Sequence, residues 1–537
     1  MIHKILIVVL ALVVPSGYLL AQDTSFGYEV QVVPIEIPNF EGIHSFVHAQ
    51  HQSYWLILGG RRDGLHARQP FNSFPAAYNN TRIELVEPES GSIWSADIHT
   101  LPTELQEQLQ ATNMQFFQNG ATLVIVGGYA FSASQGDHVT FPYLTLVDIP
   151  GLTAAILQGE DIAPFFTQIM DERMAVTGGV LGMIGDHYIL AGGHRFEGRY
   201  NPMNHPTFVQ TYTNAIRKFS LSESDAGWTI DTFEEWTDPV HLHRRDYNML
   251  PQIFPDGTLG YTLFSGVFQI NEDLPFLYPI DVTEAGYFPQ TTFNQYLCNY
   301  HTAHVPLYES GRMHNLFFGG ISQYYYQNGE LVQDDNVPFV RTISRVSRGT
   351  DGVMEEAVLP VEMPGYLGAS AEFVINESLE QAAPGIVNLE AITTDSVLLG
   401  YIVGGISSPS TNPFSVNNTG VTSASTTVFK VNLVRNNSTA TEQILPGSYH
   451  DFNFLASPNP SSGGERIRLQ MQLPETGTID VLMSDTTGRL VLNEWYTRQS
   501  EGKSNLHVRL PDLPAGMYML TLVLNNKYSA TTPLIIK

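Results

Sequence analysis

One cysteine, Cys298, stands among 537 residues, so no disulfide can form within the chain and its stability has to come from buried apolar surface. Basic residues are scarce too: 26 Lys and Arg face 53 Asp and Glu, a formal net charge of −27. Nucleic acids and anionic bilayers are gripped by clustered cations, and this balance argues against both as partners. No apolar run reaches the roughly 20 residues that a membrane-crossing helix needs. The longest, residues 5–14 (ILIVVLALVV), follows Lys4 and precedes the small-residue stretch 16–21 (SGYLLA). That is the layout of a secretory signal peptide over residues 1–21, and no cysteine follows it for a lipid anchor. HExxH, Walker and GxSxG motifs are all missing. No catalytic residue, metal or resident cofactor is assigned.

What recurs instead is a short apolar run ending in a glycine pair. It is written at 54–60 (YWLILGG), 123–128 (LVIVGG), 188–193 (YILAGG), 315–320 (NLFFGG) and 399–405 (LGYIVGG), with a degenerate copy at 261–266 (YTLFSG). The second glycines, at 60, 128, 193, 266, 320 and 405, lie 68, 65, 73, 54 and 85 residues apart. A period of that size denotes an array of small units. Hairpin dipeptides precede several runs: Asn119-Gly120, Gly185-Asp186, Asp256-Gly257 and Ser310-Gly311. Alternating segments follow, such as 81–86 (TRIELV) and 427–433 (TVFKVNL). Then come second turns at Ser90-Gly91, Pro150-Gly151, Ala226-Gly227, Ala285-Gly286 and Asp351-Gly352. Trp94 and Trp228 lead fourth strands. Each unit therefore reads as a four-stranded antiparallel meander.

Six meanders set radially make a β-propeller, which hides most sheet edges. The unit resembles the kelch repeat across residues 28–445, although the fourth copy has Ser265-Gly266 and several units lack the tryptophan. The resemblance implies an all-β chain with a six-bladed kelch-like β-propeller over residues 22–450. Segment 28–37 (YEVQVVPIEI) is expected to complete the last blade, and 376–396 reads as an insertion. Gly178-Gly179 and Gly463-Gly464 lack the apolar run and read as ordinary turn glycines.

After a linker at 451–464, rich in Pro, Ser and Gly, residues 465–537 alternate as a small Ig-like β-sandwich. Ser457-Pro458-Asn459-Pro460, 485–490 (DTTGRL), 513–520 (LPAGMYML) and Lys537 resemble the C-terminal sorting domain of the type IX secretion system of Bacteroidetes. The resemblance implies export through that machinery, removal of the tail, and a cargo released or joined to surface lipopolysaccharide.

In such a propeller the loops that lead into first strands share one face with those after the glycine pairs. Arg61, Arg62, His194, Arg195, His243, Arg244, Arg245, His301 and His304 fall there, joined by His66, Arg199 and His241. They form a candidate pocket for an anionic or polyhydroxylated ligand, a glycan or a protein surface, with Tyr129, Tyr324, Tyr325 and Tyr326 as stacking platforms. The competing reading makes Arg244, Arg245 and Asp246 structural salt bridges. First-strand lead-ins at His44, Asn113, Thr177, Asn248 and His301 are expected around the centre. Segment 296–304 (YLCNYHTAH) also resembles the copper radical oxidases, in which Cys298, Tyr300 and His301 would be the matching pieces. The expectation is a secreted or cell-surface binding protein. The alternative is a carbohydrate-acting enzyme, either a copper radical oxidase or a metal-free sugar isomerase or lyase.

Overall fold

The structure, a computed structural model, describes residues 26–69, 72–201, 207–225, 227–436, 443–445 and 452–537. The expected signal peptide at 1–21 lies outside the described residues. The chain is all-β. Among the described residues six sheets follow one another along the sequence, each built on a four-stranded antiparallel core paired in chain order except the last, the fifth being extended at both edges. The first comprises Val47–His51, Tyr54–Leu58, Arg82–Glu87 and Ser92–Asp97. The sixth takes Tyr366–Ile375, Ser396–Ser408 and Val428–Arg435, and its outer strand is the N-terminal Tyr28–Ile35, which pairs Val428–Arg435 from Tyr28↔Arg435 to Ile35↔Val428.

Glycine pairs end the second strands because the backbone there has to turn left-handed. Both members of every pair have positive φ, from 55° to 93° (Gly192 and Gly128), and in the degenerate copy Ser265 and Gly266 sit at 54° and 97°. Only glycine adopts such angles without cost. Space closes the same positions: a Cβ on Gly60 would meet the His44 carbonyl oxygen at 2.6 Å. The second member then reaches the next sheet, Gly60, Gly128, Gly193 and Gly266 donating to the carbonyls of Ala111, Val176, Arg244 and Asn299. Gly405 of the sixth sheet donates to Ile43, ahead of the first.

Packing follows the same order. Second strands such as Thr122–Val126 are buried on both faces, as strands between two layers must be. Apolar clusters fill each gap between consecutive sheets, and one more (Phe46, Trp55, Val374, Tyr401, Val403) fills the gap between sixth and first.

A second set of bonds joins the residues that lead into the first strands. Asn113 N–H donates to Ser45, Gly178 to Asn113, Asp246 to Gly178, His301 to Asp246, Ser370 to His301 and Ser45 to Ser370, at 2.8–3.2 Å. These six bonds close on themselves, one residue from each sheet. Gly178, expected to be an ordinary turn glycine, is one of the six and has φ +67°. Of the expected central lead-ins, Asn113 and His301 belong to this collar, while His44, Thr177 and Asn248 miss it by one or two residues.

Two further elements differ from expectation. Pro150-Gly151 does not make a turn: Ile149–Gln158 is a helix, because Asp148 caps the Gly151 N–H, proline takes an early position and Gly159 ends it at φ 68°. The stretch expected as linker contains a strand, Phe454–Ser457, paired with Arg466–Leu473, because Phe454 alternates into the core of the tail. The tail is a sandwich of three strands on four around Ile467, Val481, Leu506 and Leu520. It rests on the body through Val240, Leu482 and Val523, a mutual amide pair between Asn271 and Asn493, and His241 against Thr531 Oγ1 at 3.2 Å.

Candidate functional site

A central cavity of about 1130 Å³ is lined by the first strands of all six sheets. At one end lies the collar: Ser45, Asn113, Gly178, Asp246, His301 and Ser370 all border it. At the other end are the exposed tight turns Asn119-Gly120 and Gly185-Asp186 and part of the insertion, residues 381–386. Within the insertion, Ile386–Asn388 pairs in parallel with the first strand of the fifth sheet, His304–Glu309, which sets residues 381–386 beside the cavity mouth. These turns and the insertion border the cavity on the side opposite to the loop face that sequence reasoning favoured.

The polar centre of the cavity comes from three first-strand segments. Glu372 of the sixth sheet lies between His301 Nε2, 3.5 Å from its Oε1, and His48 Nε2, 3.9 Å from its Oε2. Burial pushes the Glu372 carboxyl up to about 8. Burial also lowers His48 and His301 to about 4 and His304 to about 3, so all three imidazoles are neutral at pH 7. His304 Nδ1 lies 2.7 Å from the Thr302 carbonyl. A carbonyl only accepts, so Nδ1 carries the proton and Nε2 keeps its lone pair.

Of the nine residues picked from sequence, His301 and His304 reach this cavity. The other seven do not, and each is held by the protein itself. Arg244 is fully buried, donates to the carbonyls of His241, Ser265 and Tyr278 at 2.7–2.8 Å, and stacks on Phe276 at 4.2 Å. Arg61 forks onto Asp63 at 2.8 and 2.6 Å and adds Asn79. Arg62 pairs with Glu84 at 2.7 Å and Glu41 at 3.3 Å. Arg195 is shared by Glu172 and Glu197. Arg245 pairs with Asp246 and meets Tyr212 Oη at 3.2 Å. His194 Nδ1 takes the Gln210 amide at 2.7 Å, and His243 stacks on Tyr212 at 3.8 Å while bonding Asn214. Of the tyrosines, Tyr129 is buried with its hydroxyl on the Gly198 carbonyl, and Tyr324 is buried on Tyr296; neither offers an open ring face.

The segment 296–304 is divided among three surroundings. Cys298 is buried beside Ser344 and Thr342, and burial pushes its thiol up to about 12. Tyr300 faces Phe268, and His301 faces Glu372. Among the described residues, no group of three or more His, Cys, Asp or Glu side chains is set to hold a metal ion.

Sequence reasoning missed His48 and Glu372. A signal existed: three residues beyond the collar the first strands carry His48, Phe116, Leu181, Met249 and His304, so the two histidines interrupt an apolar row.

Residues 456–537 match the family described as the secretion system C-terminal sorting domain. The tail thus marks the chain as an exported protein, secreted or held at the cell surface. No helix among the described residues is long and apolar enough to cross a membrane. No curated protein matches the chain. Among solved structures, that of YjhT is similar at 10% identity and a TM-score of 0.40, covering 76% of this chain and 98% of its own.

Proposed function

We propose that this is an exported binding protein, a six-bladed kelch-type propeller whose central cavity takes a short glycan from the turn face. The observation that carries the reading is the closed cycle of six backbone bonds at one end of a cavity to which every sheet contributes its first strand. Such a collar holds six strands at fixed spacing around one space, the pre-formed concavity that small ligands favour. The sorting tail docks near Val240 and Ile270, after the fourth strand of the third sheet and the second strand of the fourth. That side is the loop side, so the cavity mouth stays clear while the tail is engaged by the secretion machinery.

The test is a glycan array with neutral, acidic and amino sugars, run with the full-length protein and two variants. Met183 lines the cavity half-buried, and Met183→Trp fills space there. Arg195→Ala removes the most solvent-open of the loop-side arginines named above. The expected result is that binding drops about 10-fold or more in Met183→Trp and is unchanged in Arg195→Ala. The opposite pattern would move the site to the loop face and end the cavity reading.

A further inference from the structure

The charge of the cavity is one-sided. Its lining includes Asp186, Asp246, Glu372 and Glu377 and the imidazoles of His48, His301 and His304, and no lysine or arginine. Asp246 already has Arg245. Glu372 has no lysine or arginine beside it and, with burial holding it up to about 8, keeps its proton at pH 7 until an incoming cation displaces it. The distances of 3.5 and 3.9 Å to His301 and His48 are at or beyond the limit of a direct hydrogen bond, so three polar side chains border one gap without filling it. His48 Nδ1 is buried and unpartnered. His304 keeps an acceptor nitrogen at Nε2, its Nδ1 being committed to Thr302. Phe46, Phe116 and Phe373 complete the apolar walls.

This assembly is desolvated and holds no lysine or arginine, and its acceptors include the Glu372 carboxyl and the His304 Nε2 lone pair. A carboxylate or sulfate brought here would find no lysine or arginine to pair with. The group that complements the gap is compact, positively charged and offers several N–H donors.

We propose that the cavity recognises its ligand through a primary ammonium group, received by Glu372, His48 and His301. The ligand class is an amine-bearing sugar or a short oligomer of it. The inference rests on the cavity reading above and reverses the anionic preference that the count of arginines suggested.

Calorimetric titration of the full-length protein tests it with four probes: glucosamine, its β-1,4-linked disaccharide, the N-acetylated form of that disaccharide, and glucose. Acetylation removes the charge and keeps the ring, so the acetylated disaccharide should bind about 10-fold or more weaker than the amine, the worth of a charge-assisted contact. Glu372→Gln keeps the shape and should abolish that preference. His48→Gln, a second variant for the case in which Glu372→Gln does not fold, should reduce it. Equal binding of amine and acetylated probes, blocked by Met183→Trp, would overturn the ammonium proposal and leave the cavity reading standing. Binding of the amine unaffected by either Glu372→Gln or Met183→Trp would remove both. No amine binding up to about 10 mM, or a Glu372-dependent response to Zn²⁺ or Cu²⁺ alone, would also overturn the proposal.

Discussion

The loop side and the cavity draw on the same polar residue types and use them in opposite ways. On the loop side Arg61, Arg62, Arg195, Arg244 and Arg245 each have an acidic or carbonyl partner within the protein. In the cavity Glu372, His48 and His301 face one another across gaps that no protein group fills. The arginines therefore brace their own loops, Arg61 on Asp63 and Arg195 on Glu197, whereas the sparse under-partnered groups on the inner strands are where the proposed ligand fits. Buried polar groups are ordinarily satisfied; His48 Nδ1 in the cavity is an exception, as is Arg244 Nη2 on the loop side, so it is the open gap around Glu372 that separates the two regions.

The strongest way to break that contrast is Arg244→Met. Arg244 is fully buried and holds three carbonyls from three segments, with Phe276 and Tyr278 against its face. Burial lowers its guanidinium to about 10, with Tyr278 opposing the shift, so it stays charged at neutral pH. Removing it strands the three acceptors, and the expected loss is about 3–5 kcal/mol of unfolding free energy. Urea titration measures this. The fraction that remains folded should bind cavity ligands as the native protein does; lost affinity in folded material would return Arg244 to the binding site.

How much of this was legible in the sequence depended on whether a feature is carried by a residue type. The glycine pairs were, because positive φ and a carbonyl 2.6 Å from where a Cβ would stand demand that residue. The tail strands were, through strict alternation. The collar was not. Ser45, Asn113, Gly178, Asp246, His301 and Ser370 share a backbone bond and no side-chain chemistry. The helix Ile149–Gln158 was hidden because Pro-Gly serves a first turn as readily as a tight turn, and only Asp148 distinguishes the two. The proposed site was half legible: His301 and His304 came with an eye-catching motif, while Glu372 is a lone acidic residue in a largely apolar strand and His48 sits in a short mixed strand, VHAQH, within which nothing sets it apart. Arginine was over-read, since counting charges per face cannot see Asp63, Glu84 or three carbonyls waiting for them.

A smaller effect sharpens the cavity half of the contrast. Burial pushes Glu372 up to about 8 from an ordinary value of 4.5, with His48 and His301 as its nearest titratable neighbours. Below pH 4.5 the carboxyl is protonated in both folded and unfolded chains and contributes nothing to pH dependence. Between 4.5 and about 8 the unfolded chain releases the proton and the folded one keeps it, so stability falls as pH rises through that window. Glu372→Gln removes the fall. Relative to the native protein it should gain on the order of 1–2 kcal/mol between pH 5 and pH 8, less than the full linkage because cavity water softens the burial. Parallel unfolding curves at the two pH values give the number, and a constant difference would mean that Glu372 is ionised in the empty cavity.

The least effect belongs to Arg195→Ala, and its smallness is the point. Arg195 makes two good ion pairs, at 2.7 Å to Glu172 and 2.6 Å to Glu197, yet its side chain is 43% exposed. Water and salt screen such pairs, and holding three long side chains in register offsets what attraction remains. Stability should change by less than about 0.5 kcal/mol, and ligand affinity not at all. Thermal melts at low and high salt would expose any hidden contribution, because a pair that matters at low ionic strength loses its effect as salt is added. A salt-insensitive loss of several degrees would show that Arg195 packs rather than pairs. A change in affinity would show that the loop side, for all its internal pairing, still meets the ligand.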